Sequence, residues 1–414
     1  MFRAALIGWL RKAQGLFQTD LVYLVKHGFW MSINLVGTAL IGLVTSYLYA
    51  NFLSKEQYGD YRYIFSLFSA VNAFSLTGIN IAVTQAVAKG KEGTLLQSIP
   101  LQLKWNVFFS AAFVLVAGYY FYHGNTPFGL AFLTISLFGP LGNIANTYGA
   151  FLQGKKEFRA YSLISFGISV VTLVVMAATI FFHANVVGLV VANIGSTALI
   201  QVAAFLWTVK HYQPNKEKDP SLTTFSQRLS LLTALGLLVS QLDIVLLYHW
   251  FGAASVSMLS FITIVPDQLK GFVKIIGQVA LPKFAVNETA ESRTQAAKNS
   301  LKLGAIVFLV SLLYILVAPL VFHWLFPAYS ASVGYSRIYA LGMIFSVYQI
   351  PVSILFAHKQ ETKITRFIIF TNVFWALCSL ILIPVFGLTG AIISRLIAQA
   401  ANLAISSYYV WLKP

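Results

Sequence analysis

The 414-residue chain has little charge and a single cysteine. Asp, Glu, Lys and Arg make up 10% of it and hydrophobic residues 58%, far more apolar surface than a soluble core of this length needs. Most of the chain therefore has lipid as its solvent. Cys378 stands alone inside an apolar run, which excludes a disulfide framework and a zinc or redox pair, and its expected role is packing. Acids are scarce: 12 Asp and Glu face 28 Lys and Arg, for a net charge of +16. A nucleic-acid binder would gather such bases on a soluble face, whereas here they are spread between apolar runs, so no nucleic-acid partner is expected. No Walker-type phosphate loop is present, and neither a cofactor nor a metal site is expected.

What is abundant is long apolar runs. A bilayer core about 30 Å thick takes about 20 apolar residues per helix, and such runs recur almost from end to end. They are long and lack period-two alternation, which points to helices rather than barrel strands. Spans are expected near 29–52, 61–87, 101–122, 128–152, 161–182 and 186–209, and again near 229–250, 256–281, 303–322, 333–356, 367–385 and 388–411. The expectation is an all-α integral membrane protein with twelve transmembrane helices. The domains expected are an interfacial N-terminal segment at 1–28, a six-helix lobe at 29–209, a polar linker at 210–228 and a second six-helix lobe at 229–414.

Basic residues are retained on the cytoplasmic side, so their distribution orients the chain. Of the 28, 22 fall in the two terminal segments and alternate connections; outside the spans, the other connections hold only Lys55. Both termini are therefore expected in the cytoplasm.

The halves resemble each other. Gln153 to Arg159 aligns with Ala357 to Lys363, Phe52 and Gly78 with Phe251 and Gly277, and Val187-Gly188 with Thr389-Gly390. Six spans per copy is an even number, so the lobes should run parallel and be related by a pseudo-twofold axis along the membrane normal.

Several of these segments carry a family likeness. Leu53-Ser54-Lys55-Glu56-Gln57-Tyr58-Gly59, Leu76 to Thr84 around Gly78, the turn Gly154 to Arg159, Leu242-Asp243 and Val385 to Ala391 together resemble the polysaccharide exporter branch of the multidrug/oligosaccharidyl-lipid/polysaccharide (MOP) superfamily, which includes Wzx-type O-antigen flippases. The likeness covers nearly the whole chain. It implies a monomeric, non-enzymatic flippase that moves undecaprenyl-diphosphate-linked oligosaccharide across the bacterial cytoplasmic membrane by alternating access. Its implied partners are that lipid-linked substrate, membrane lipids, and the glycan polymerase and glycosyltransferases of the same pathway.

An ionisable group inside a span costs about 2.5 to 3.5 kcal/mol on insertion scales, so each such group needs a partner, a wet cavity or a route to the headgroups. Lys270 and Lys274 lie four residues apart on one helix face, with Asp267 and Gln268 just before them. Pro266 and Gly271 suggest that this stretch is kinked or opened. Two lysines suit the roughly two negative charges of a lipid diphosphate. The competing reading pairs Asp267 with Lys270 inside the helix and lets Lys274 reach the headgroups. Asp243 and Arg395 sit at similar depth, as an ion pair or as a cavity or coupling-ion site, and Asn193 occupies the repeat position of Arg395. Arg62 and Arg337, near outer helix ends, are candidates for an outer gate. Two other functions compete. A cation-coupled multidrug exporter would want a deep acid in the N-terminal half, where only Asp60 comes near. A membrane glycosyl polymerase or acyltransferase would want a histidine-acid constellation, yet His123, His183, His249 and His323 have no nearby acid in sequence.

Overall fold

The computed structural model describes residues 21–285, 290–357 and 361–412. The first twenty residues of the expected interfacial segment lie outside that range. Among the described residues every regular element is helical. In the first half these are α1 (Leu21–Phe52), α2 (Lys55–Asn72), α3 (Ile79–Ala88), α4 (Thr94–Tyr122), α5 (Thr126–Ala145), α6 (Thr147–Gly154), α7 (Phe158–His183) and α8 (Val186–Val190), with a π turn at Val191–Gly195 leading into α9 (Ser196–Tyr212). There follow α10 (Leu222–Ala285), α11 (Ala290–Leu325), α12 (Val333–Leu341), α13 (Gln349–Ala357) and α14 (Glu361–Ser407), with 3-10 turns at Pro327–Ser332 and Gly342–Tyr348.

Nine helical stretches among the described residues are long and apolar enough to cross a membrane. Their outward faces remain apolar: Phe108, Leu115 and Leu231 are 73%, 75% and 76% exposed, a surface only lipid tolerates in quantity. The chain is a multi-pass integral membrane protein. Two stretches, Leu222–Gly271 and Thr362–Val410, have 50 and 49 residues, at 1.5 Å per residue over twice the bilayer core. Each breaks at a glycine in a conformation that β-carbons disfavour, Gly252 at φ 78°, ψ 176° and Gly387 at φ 56°, ψ −128°.

Two sequence expectations change. The span expected near 61–87 is not one helix: α2 stops at Asn72 and α3 starts at Ile79, with Leu76 between them at φ 64°. The bulge persists because the Leu76 side chain is 1% exposed in the core and the Gly78 amide donates to Ser230 Oγ at 2.9 Å. Conversely, α10 runs through Pro266 to Gly271 without opening, and its non-helical residue is Gly252. One proline removes one backbone donor, which the flanking turns of a long helix can absorb.

The chain divides into two compact units, one of residues 1–46 and 74–230, the other of 47–73 and 231–414. The first packs α3, α6, α7 and α9 around Leu76, Val83, Leu95, Phe151 and Leu152. Its polar linker is bound down: Lys91 Nζ lies 3.2 Å from Asp219 Oδ1, the Asn215 backbone amide donates to Glu92 Oε2 at 3.3 Å, and Asn215 Nδ2 donates to Gly90 O at 2.7 Å. The Asp219 carboxyl sits below its usual range; partial burial pushes it up, but hydrogen bonds from the Ser221 amide and hydroxyl and from Lys91 outweigh that.

The second unit has two apolar clusters, one around Ala318, Ala340 and Met343 and one around Leu247, Val256, Ile262 and Ile383. Its α2 segment is held by aromatic packing, Tyr58 on Phe261 at 5.0 Å and Tyr63 stacked on Tyr248 at 3.8 Å, and by Tyr248 OH donating to Asp60 at 2.7 Å. Ser54 opens α2 with a capping box, its hydroxyl accepting from the Gln57 amide at 3.1 Å. Gly59 meets the Ala253 backbone so closely that a β-carbon there would collide with the carbonyl. The Ser54 to Gly59 pattern thus has a physical basis: a cap, a buried tyrosine and a residue without a side chain.

Candidate functional site

A cavity of ≈ 500 Å³ lies inside the second unit. Helical spacing builds its walls. Ser260, Thr263, Asp267 and Lys270 recur at three and four residues along the second part of α10, and Arg395, Gln399 and Asn402 do the same on α14. Arg62 enters from α2, Tyr339 from α12, Ser346 from the second 3-10 turn and Trp375 from the first part of α14.

The charges form an alternating chain. Asp243, with a fully buried side chain, accepts from Arg395 Nε and from its neighbour's amide, Ile244 N, at 2.8 Å. Arg395 Nη1 lies 3.9 Å from Asp267 Oδ2, and the other Asp267 oxygen accepts from Lys270 Nζ at 3.1 Å and Tyr339 OH at 2.8 Å. Lys270 Nζ also rests 3.9 Å above the Tyr339 ring, a cation–π contact. Asp243, Arg395, Asp267 and Lys270 sum to zero, so the cavity's surplus charge is Arg62, whose Nε donates to Ser260 Oγ at 3.1 Å rather than to a carboxylate. Asp267 is the accessible member of the chain, its side chain 46% exposed against 14% for Arg395.

Beside this chain the wall is neutral and incompletely bonded. Ser346 Oγ, Trp375 Nε1 and Gln399 Oε1 are buried without a hydrogen-bond partner, and all three residues line the cavity. An orphaned buried donor or acceptor costs about 1–3 kcal/mol, so three in one cavity call for an account.

Of the residues singled out from sequence, Asp243, Asp267, Lys270 and Arg395 come together in one network, and Arg62 joins the same cavity. Gln268 is outside its lining, and Arg337 donates to Ile315 O at 3.0 Å away from it. Asn193 belongs to the first unit, in the π turn. Lys274 continues α10, but its side chain lies outside the described residues. Sequence reasoning missed Tyr339, Ser346, Trp375, Gln399 and Asn402. The last two had a signal, since Arg395, Gln399 and Asn402 form a polar stripe at i, i+4 and i+7 in an otherwise apolar run.

Residues 24–288 match the family described as polysaccharide biosynthesis protein. The chain belongs to that family. Its fold is shared with solved transporters of the MOP superfamily. An inward-facing multidrug resistance MATE family transporter superposes with a TM-score of 0.74 at 14% identity, over 91% of this chain and 94% of the other. The lipid II flippase MurJ, in an inward closed conformation, gives 0.70 at 13% identity over 92% and 87%. A MOP superfamily transporter from Pyrococcus furiosus, described as having a binding pocket of reverse polarity, gives 0.67 at 14% over 94% and 95%. At such identities the likeness is one of fold. No curated protein sequence matches the chain.

Proposed function

We propose that this polysaccharide-family protein is a flippase for undecaprenyl-diphosphate-linked oligosaccharide in the bacterial cytoplasmic membrane, working by alternating access with both termini in the cytoplasm. The observation that carries the reading is the cavity of the second unit, where Arg62, Lys270 and Arg395 sit in a lipid-embedded fold with only Asp267 as an accessible acid. Moving a diphosphate through hydrocarbon requires its charge to be matched inside the protein; Arg62 supplies the surplus positive charge, and Lys270 and Arg395 can turn donors from Asp267 to phosphate oxygens. Lys270 and Lys274 are the proposed headgroup contacts, and Arg62 and Arg337 the proposed outer gate. Asp267, with Asp243 and Arg395 behind it, is the proposed place where a coupling cation is exchanged.

The reading includes twelve crossings in two six-helix lobes. Counting each double-length stretch as two helices turning at Gly252 and Gly387, and α2 with α3 as one interrupted crossing, brings the nine candidate spans to that number. The test is complementation in a bacterium deleted for its own flippase and supplied with the cognate glycan pathway. Lys270→Ala combined with Lys274→Ala should abolish surface glycan while membrane protein levels hold; normal surface glycan would sink the assignment.

A further inference from the structure

The charged chain explains half of the cavity wall and leaves the neutral half without a role. That half contributes a donor (Trp375 Nε1), an acceptor (Gln399 Oε1) and a hydroxyl able to do either (Ser346 Oγ), all buried and unpartnered. The amide nitrogen of Gln399 already donates to Tyr339 OH at 3.5 Å, while its carbonyl oxygen has no partner. Trp375 and Tyr348, also in the lining, add aromatic surface.

This set selects by chemistry. An apolar ligand would leave all three atoms unpaired. A phosphate oxygen would meet the Gln399 carbonyl acceptor to acceptor. A cation would find no carboxylate among these three residues. A group with adjacent hydroxyls satisfies every one of them, since each hydroxyl both donates and accepts, and the C–H face of a pyranose ring packs on indole. The cavity of ≈ 500 Å³ lies in the ordinary range for small-molecule sites.

We propose that Ser346, Trp375 and Gln399 form a carbohydrate-binding subsite that reads a pyranose unit of the substrate by its hydroxyls, beside the charged network that handles the diphosphate. This rests on the flippase reading and adds the residues that would distinguish a glycosylated lipid from a bare one.

The experiment uses the full chain in nanodiscs and two probes, farnesyl diphosphate and the same lipid carrying one N-acetylglucosamine on its diphosphate, with affinities measured for wild type, Ser346→Ala, Trp375→Phe and Gln399→Leu. The wild type should bind the glycosylated probe more tightly. Each variant should lose about tenfold in affinity for that probe, the equivalent of one good hydrogen bond, and keep its affinity for the bare diphosphate, which also reports that it has folded. Unchanged affinity for the glycosylated probe in all three variants would mean that water satisfies these atoms and would overturn the subsite while leaving the flippase reading intact. Equal loss of both probes would overturn it in favour of a structural role. Failure of the wild type to bind either probe would remove the flippase reading and the subsite with it.

Discussion

The two units leave different spaces unfilled. In the first, a cavity of ≈ 580 Å³ between α1 and α7 is bounded by Ile33, Leu40, Leu163 and Phe166, with Asn34 Oδ1 and Ser162 Oγ as buried, unpartnered polar atoms. In the second, the cavity holds an ion-pair chain and a neutral polar wall. The offset of 202 residues that pairs Asn193 with Arg395 in the sequence also pairs Ile41 with Asp243, so at both positions the charge belongs to the second unit and the uncharged residue to the first. Buried charge is retained only where partners are built around it, so the second unit is where electrostatics weigh most on stability.

The sharpest way to break this comparison is Arg395→Ala. It leaves Asp243 buried and uncompensated, and about 3–5 kcal/mol of stability should go, read as a large drop in the melting temperature of the purified protein in detergent. Asp243→Asn with Arg395→Gln should recover most of that loss, while Asn193→Ala in the first unit should cost under about 1 kcal/mol. Equal costs for Arg395→Ala and Asn193→Ala would erase the distinction between the units.

A smaller effect is expected where the backbone reverses. Gly252→Ala and Gly387→Ala in the second unit should each cost about 1–3 kcal/mol, because their conformations disfavour a β-carbon. In the first unit the comparable position, Lys156 at φ 63°, carries a side chain, so Lys156→Gly should stabilise by about 1 kcal/mol in the same melting assay. A destabilised Lys156→Gly protein would show that its side chain outweighs the strain.

The smallest effect belongs to the linker of the first unit. Asp219 has a depressed folded-state pKa, so its contribution is present above the unfolded carboxylate value near about 3.9 and is lost as pH falls through the lower folded value. Asp219→Asn should therefore lower stability by no more than about 1 kcal/mol at pH 7, a partly exposed pair being weak, and the gap from wild type should close in acid. A gap that persists below the folded pKa would assign the effect to packing rather than charge.

Much of this was legible in the linear sequence because lipid imposes one-dimensional rules. Apolar runs of about 20 residues mark the helices, and an ionisable residue inside such a run stands out, which is how Asp243, Asp267, Lys270 and Arg395 were found. The Ser54 to Gly59 pattern was recognisable before its physical reason was visible. Trp375 and Tyr339 were not legible as site residues, because aromatic residues fill 15% of the chain and most serve packing or the lipid face. The break at Leu76 was hidden because leucine is an ordinary helix former, and what accompanies φ 64° there, burial of its side chain and the bond from the Gly78 amide to Ser230, is tertiary.

By itself, then, the sequence determined that this chain folds as helices in a membrane and which residues are too polar to face lipid, since both follow from local composition and the cost of burying charge. Tertiary structure alone decided that residues 47–73 join the C-terminal unit, that Asp243 and Asp267 share Arg395, and that Ser346, Trp375 and Gln399, each with an unpaired polar atom, line one cavity. The physical reason is that a cavity wall depends on the rotation of several helices about their axes, and that rotation is set by packing between segments more than a hundred residues apart.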